Sequence, residues 1–212
     1  MVSYLNALKY PFTNIKSFII SAVMSFFWFL LIPFFFLNGY IVRVIRSTNE
    51  KSEFMPEWDN WKEMLFDGFM MFAVQVAYVL PAMVIYTIAS LTTPISLTSA
   101  FATADVTSIG IGAMVLMTVS SLALLFAFFV MPVAIINYAL TKSFKKAFDF
   151  NGIARSIMLN PLNYLLNLVI GFFAFTLFLL TSPFLYFVIG ALMVYPTLFY
   201  YKIFTEWFTE LP

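Results

Sequence analysis

The 212-residue chain contains no cysteine and no histidine, and only 21 of its residues are charged. Without cysteine there are no disulfides, no thiolate nucleophile and no cysteine metal site. Without histidine the commonest general base and metal ligand is missing. The formal net charge of +1 offers no basic field for nucleic acid and no acidic tail, so no nucleic-acid partner is expected. No cofactor and no metal is expected either. The long apolar runs lack Asp, Glu, Lys, Arg and His, the groups that proton relays, voltage sensors and ion-coupled transporters hold at depth.

What is present is apolar. The chain is 63% hydrophobic with a mean hydropathy of +0.96, and 10% charged where soluble domains average roughly 25%. A small soluble globule cannot hide that much apolar surface. The composition predicts an all-α polytopic helical membrane protein, a single transmembrane domain over residues 1–212. The N-terminal stretch does not read as a signal peptide, because Tyr10-Pro11 and Asn14 interrupt it.

Distances between charges give the expected spans. Lys16 to Arg43 encloses 26 uncharged residues, Asp67 to Asp105 encloses 37, Asp105 to Lys142 encloses 36 and Arg155 to Lys202 encloses 46. A spanning helix needs about 20 apolar residues. Five long helices are predicted, at 15–46, 61–91, 108–140, 162–180 and 184–204. The Thr/Ser-rich stretch 92–107 is expected to be an external loop, and 181–183 a tight hairpin turn.

Lys and Arg gather at 43–62 and 142–155, which places both charged loops, 43–63 and 141–160, in the cytoplasm. The remaining basic residues put both termini there too, and five crossings conflict with that. The conflict is relieved if the first segment is a re-entrant hairpin broken at Pro33, giving six helical pieces. A simple span with an external N-terminus is the alternative. Residues 10–46 and 160–204 share the placement of two prolines 22 residues apart, which either marks a weak internal repeat or reflects the habit of proline to sit at helix starts.

Ten of the 21 charged residues lie between Arg43 and Asp67. Pro56-Glu57-Trp58-Asp59-Asn60-Trp61-Lys62-Glu63 reads as a helix entrance, with Asn60 as cap and Glu63 three residues on. Its carboxylates suit a helix N-terminus. Trp58 and Trp61 suit the headgroup layer. Arg43 and Arg46, three apart, suit lipid phosphate or the carboxylates of Glu57 and Asp59. A short amphipathic helix is predicted at 143–150, with Phe144, Ala147 and Phe148 opposite Lys145, Lys146 and Asp149. Asn163 and Asn167 share one helix face, where an interhelical hydrogen bond is the plain structural role.

The stretch NGYIVRVIRSTNEKSEFMPEWDNWKEMLFDG resembles a prokaryotic, mainly archaeal membrane-protein family called domain of unknown function 4013. The positions that carry the resemblance are Gly39, Tyr40, Arg43, Arg46, Pro56, Glu57, Trp58, Asp59, Trp61, Asp67 and Gly68. The run MPVAIINYALTKSFKKAFDFNGIARSIMLNPLNYLL is similar to the family as well. The resemblance implies a multi-helix membrane protein with no established activity. Relatives often carry a glycine in the turn at 51–54, where this chain has none.

Three functions follow in order of preference. The first is a non-enzymatic scaffold or accessory subunit. It would bind membrane lipid, protein partners or further copies of itself through Arg43, Arg46, Glu57, Trp58, Asp59, Trp61, Asp67, Lys145 and Lys146. The second is a pore or transporter for small or hydrophobic solutes, motivated by the prolines at 81, 132 and 196. The third is a lipid-modifying enzyme with a divalent ion on Glu57, Asp59 and Asp67.

Overall fold

The computed structural model describes residues 4–27, 29–92, 111–181 and 189–211, and there the chain is helical with no strand. The helices are α1 (Tyr4–Lys9), α2 (Ile15–Phe26), α3 (Leu31–Asn49), α4 (Trp61–Thr92), α5 (Ile111–Thr141), α6 (Phe150–Leu159), α7 (Pro161–Thr181) and α8 (Ile189–Thr209). Short 3-10 turns lie at Tyr10–Phe12 and Phe144–Phe148. The predicted loop at 92–107 falls almost wholly outside the described residues, as does most of the predicted turn at 181–183.

Local chemistry fixes the helix ends. Asn14 caps α2 by accepting the Ser17 N–H at 3.1 Å, and Asp149 caps α6 by accepting the Gly152 N–H at 3.0 Å. Asn160 Oδ1 accepts the Asn163 N–H at 3.4 Å, with Pro161 at the first position of α7. Asn60 enters α4 with φ of 43°, a left-handed conformation that asparagine tolerates, and its carbonyl accepts the Met64 N–H. Lys51 and Lys142, just past α3 and α5, have φ of 59° and 53° and occupy the place where helices usually end on glycine.

Five spans were predicted; among the described residues two helices, α4 and α5, are long and apolar enough to cross a membrane. A third qualifies if α6 and the first part of α7, bent by 95° at Asn160, count together. The first segment fails because it breaks at 27–30 into α2, 12 residues long, and α3, which carries Asn38, Arg43, Arg46 and Thr48. The break is not at Pro33, which sits in the first turn of α3, where a missing N–H removes no hydrogen bond. Among the described residues α8 does not qualify, and Lys202 and Glu206 lie in its second half. The predicted amphipathic helix at 143–150 is a 3-10 turn instead, and the α-helix begins at Phe150.

Two compact units emerge from the contacts, residues 1–74 with 132–212, and 75–131. In the first, α8 is the hub, packing on α1, α2, α3 and α7. Tyr10, Tyr40, Val44, Met55, Met64, Val194 and Leu198 form a buried cluster there. Gly171 lets α7 approach α8 so closely that a Cβ would stand 2.3 Å from the Tyr200 ring. In the second unit, small buried residues recur every seventh position, Ala82 and Ala89 on α4 and Ala113, Ser120 and Ala127 on α5. That period keeps one seam facing its partner. Ser120 Oγ crosses it to donate to the Ala82 carbonyl at 2.8 Å. Leu80, Met83, Leu91, Leu122, Leu125 and Phe128 are exposed in the same unit.

Candidate functional site

The charged stretch is assembled by two helices that touch backbone to backbone. A Cβ at Gly39 would stand 1.8 Å from the Met64 carbonyl oxygen, and one at Gly68 would stand 1.7 Å from that of Phe35. No larger residue fits either place. The crossing of α3 and α4 brings the arginines against their partners.

Arg43 Nη1 donates to the Glu57 carbonyl at 2.8 Å and to the Asp59 carboxylate. Arg46 donates through Nη1 to Asp67 Oδ2 at 2.6 Å and through Nε to the Ala139 carbonyl at 2.7 Å. Asp67 is 5% exposed, and its other oxygen accepts the Tyr138 hydroxyl at 3.3 Å. Lys142 pairs with Glu63, which lies 3.8 Å from Arg46. This chain of charges ties α3, α4 and the end of α5, with α4 and α5 antiparallel, since 63 meets 142 and 67 meets 138. A buried carboxylate held by a guanidinium and a phenol is well satisfied, and removing one partner leaves the other stranded.

The Trp loop closes onto α2 and α3. Trp58 stacks on Tyr40 at 4.6 Å between centroids and 12° between planes, and its Nε1 donates to the Ser17 carbonyl and Ser21 Oγ. The Tyr40 and Ser17 hydroxyls both donate to the Pro56 carbonyl. Burial raises the Tyr40 phenol above its ordinary pKa. Met55 is buried, with its N–H on Thr13 Oγ1. Trp61 lies edge-on to Phe36 and stays 42% exposed.

Seven of the nine predicted site residues thus come together: Arg43, Arg46, Glu57, Trp58, Asp59, Trp61 and Asp67. Glu57 takes part through its carbonyl, and its side chain is exposed. Lys145 and Lys146 stand apart on the 3-10 turn before α6, both exposed, with Lys146 Nζ 3.5 Å from Asp149. The carboxyl of Asp149 is held below its ordinary pKa, first by the Gly152 N–H. Among the described residues no group of three acidic side chains is placed to hold a metal ion. Asn163 and Asn167 do not act as a pair: Asn167 is buried and accepts the Tyr4 hydroxyl at 3.1 Å, whereas Asn163 is exposed.

Sequence reasoning missed a second polar site. Lys202, on α8, is 6% exposed and lies 4.4 Å over the Tyr10 ring, with Glu206 and the Ser52 carbonyl each at 3.4 Å. Burial holds its ammonium below the ordinary lysine pKa, and Glu206 opposes that shift. Burial also pushes the Tyr10 phenol up to about 12. Lys202 lines a cleft of about 1,050 Å³ between α1, the 51–53 turn and α8, together with Lys9, Lys51, Glu53 and Glu210. The i,i+4 spacing of Lys202 and Glu206 was its trace in the sequence.

No solved structure matches this chain. It is 32% identical over 158 residues to the uncharacterized protein MJ1189 of Methanocaldococcus jannaschii, which covers 71% of this chain and 50% of that protein. The chain therefore spans about half the length of this relative. A family model described as "Protein of unknown function (DUF4013)" matches residues 12–199. Built around the Gly39–Gly68 crossing and its arginine–carboxylate pairs, this chain belongs to the DUF4013 family.

Proposed function

We propose that this chain is a multi-pass membrane protein with no reaction of its own, a scaffold or accessory subunit that binds lipid and protein partners at one membrane face. The observation that carries the reading is the bend of 95° between α6 and α7. With α7 crossing the bilayer, α6 lies in the plane of its surface. Phe150, Ala154 and Met158, one helical face at i, i+4 and i+8, are exposed, and Met158 is 77% so. Lys145, Lys146 and Arg155 flank that face, the arrangement of an interfacial helix on anionic lipid.

The exposed apolar side chains of α4 and α5 support the same reading, because large apolar residues facing outward suit hydrocarbon. The charges at 43–67 hold helices together, which supports a structural rather than a chemical use of them. Glu57, Trp61 and the polar cleft beside Lys202 remain open for partners.

Gentle extraction from the native membrane, followed by native mass and identification of co-purifying chains, tests the proposal. A defined hetero-complex supports the accessory role. A lone monomer or closed homo-oligomer that shows solute flux in proteoliposomes contradicts it.

A further inference from the structure

The turn between α2 and α3 is apolar on every described side. Phe26, Phe27, Phe29, Leu30, Leu31 and Ile32 are all exposed, and no charged, hydroxyl or amide side chain occurs between Ser25 and Asn38. Consecutive exposed positions do not make one face, whereas a protein partner meets a face with a polar rim. The backbone of the turn bonds to itself as well. The Phe27 N–H donates to the Met24 carbonyl at 3.2 Å, the Leu30 N–H to that of Phe27 at 2.9 Å and the Phe34 N–H to that of Leu30 at 3.1 Å. Where α2, α6 and α7 begin on the capping side chains of Asn14, Asp149 and Asn160, α3 begins on Leu30, which has none to offer. Pro33, in the first turn of α3, has no N–H to satisfy. A turn built this way fits hydrocarbon, where backbone groups find no water.

The polar contacts of the hairpin lie at its other end. The Ser17 hydroxyl on α2 and the Tyr40 hydroxyl on α3 both donate to the Pro56 carbonyl, so the two arms are level there. Nine residues lead from that level to Phe26 (26 − 17) and nine lead back from Leu31 (40 − 31), about 13.5 Å of helix in each arm. A bilayer core is about 30 Å thick, so at any tilt these arms cannot carry the turn through to the far face. Lys9 and Lys16 before the hairpin then share one face with Arg43, Arg46 and Lys62 after it, as the gathering of basic residues on one side requires. We infer that the α2–α3 hairpin enters one leaflet from the face of the charged stretch and returns to it, its turn at 27–30 surrounded by the lipid chains of that leaflet. This rests on the membrane residence proposed above.

Spin labelling of the full chain in phosphatidylcholine–phosphatidylglycerol vesicles tests the inference, since any introduced cysteine is the sole one. Labels on Phe29→Cys and Leu31→Cys should relax several-fold more with oxygen, which concentrates in hydrocarbon, than with a water-soluble nickel complex. A label on Lys16→Cys should do the reverse. Leu125→Cys, exposed on α5, reports membrane residence separately. Nickel access at both turn sites equal to that at Lys16→Cys, with Leu125→Cys still in hydrocarbon, overturns the hairpin alone. So does exclusion of both agents from the turn, which would mark a protein covering it. In intact cells an impermeant maleimide should treat Lys16→Cys as it treats Lys62→Cys, and opposite reactivity, the mark of a full crossing, also overturns the inference. Nickel access at Leu125→Cys would instead strike at membrane residence itself.

Discussion

Single residues carry unequal weight here. Asp67 is the buried end of an ion pair, so Asp67→Ala strands Arg46 and should cost about 3 kcal/mol, the low end for such pairs because Arg46 keeps part of its side chain in contact with solvent. A thermal scan of the purified protein reads this, and the paired change Arg46→Met with Asp67→Leu should cost clearly less than either change alone. Lys51 is the opposite case. Its φ of 59° opposes its side chain, so Lys51→Gly should stabilise by about 0.5–1 kcal/mol, read as a raised Tm. Asp149 contributes a pH dependence. Its folded pKa is depressed, so its contribution is present at neutral pH and is lost as pH falls through and below the ordinary value of 3.8. Asp149→Asn, which keeps the capping oxygen, should retain α6 helicity at low pH, as circular dichroism would show.

At the scale of elements, the α3–α4 crossing decides the fold of the first unit. Gly39→Ala and Gly68→Ala each drive a methyl into a facing backbone carbonyl and should cost about 3 kcal/mol or more, with loss of monodisperse protein on gel filtration. Ser120→Ala, which keeps the small seam and loses one hydrogen bond, should cost only about 1 kcal/mol. Much of this was legible in the chain. The stretch from Gly39 to Gly68 stood out by composition, and the helices at α4 and α5 by uninterrupted apolar length. The pairing of Arg46 with Asp67 was not legible, because it depends on a crossing point set by two glycines whose use as contact surfaces leaves no periodic trace. The break at 27–30 was missed because proline drew attention to position 33, although a helix accepts proline in its first turn. The interfacial helix was expected seven residues early, since Phe144, Ala147 and Phe148 fit a 3-10 turn as well as an α-helix; the true start signal was Asp149 reaching the Gly152 N–H. Lys202 was read as a marker of topology, and its burial over Tyr10 depends on contacts between residues nearly two hundred positions apart.

At the scale of the molecule, the chain separates its chemistry. Among the described residues the ion pairs, indoles and lysine cleft belong to the unit of residues 1–74 and 132–212, whereas the unit of 75–131 packs small residues along a seam crossed by the Ser120–Ala82 bond and turns large apolar side chains outward. The central claim is that α4 crosses a bilayer with its charged end on the same face as α6. The native absence of cysteine makes this directly measurable, since any introduced thiol is the sole one in the chain. Single cysteines at Lys62, Leu91 and Arg155 would be challenged with a membrane-impermeant maleimide in intact and in permeabilised cells. The account predicts that Lys62→Cys and Arg155→Cys react only after permeabilisation and that Leu91→Cys, about 44 Å further along α4, reacts in intact cells. Equal reactivity of Lys62→Cys and Leu91→Cys in intact cells would contradict it.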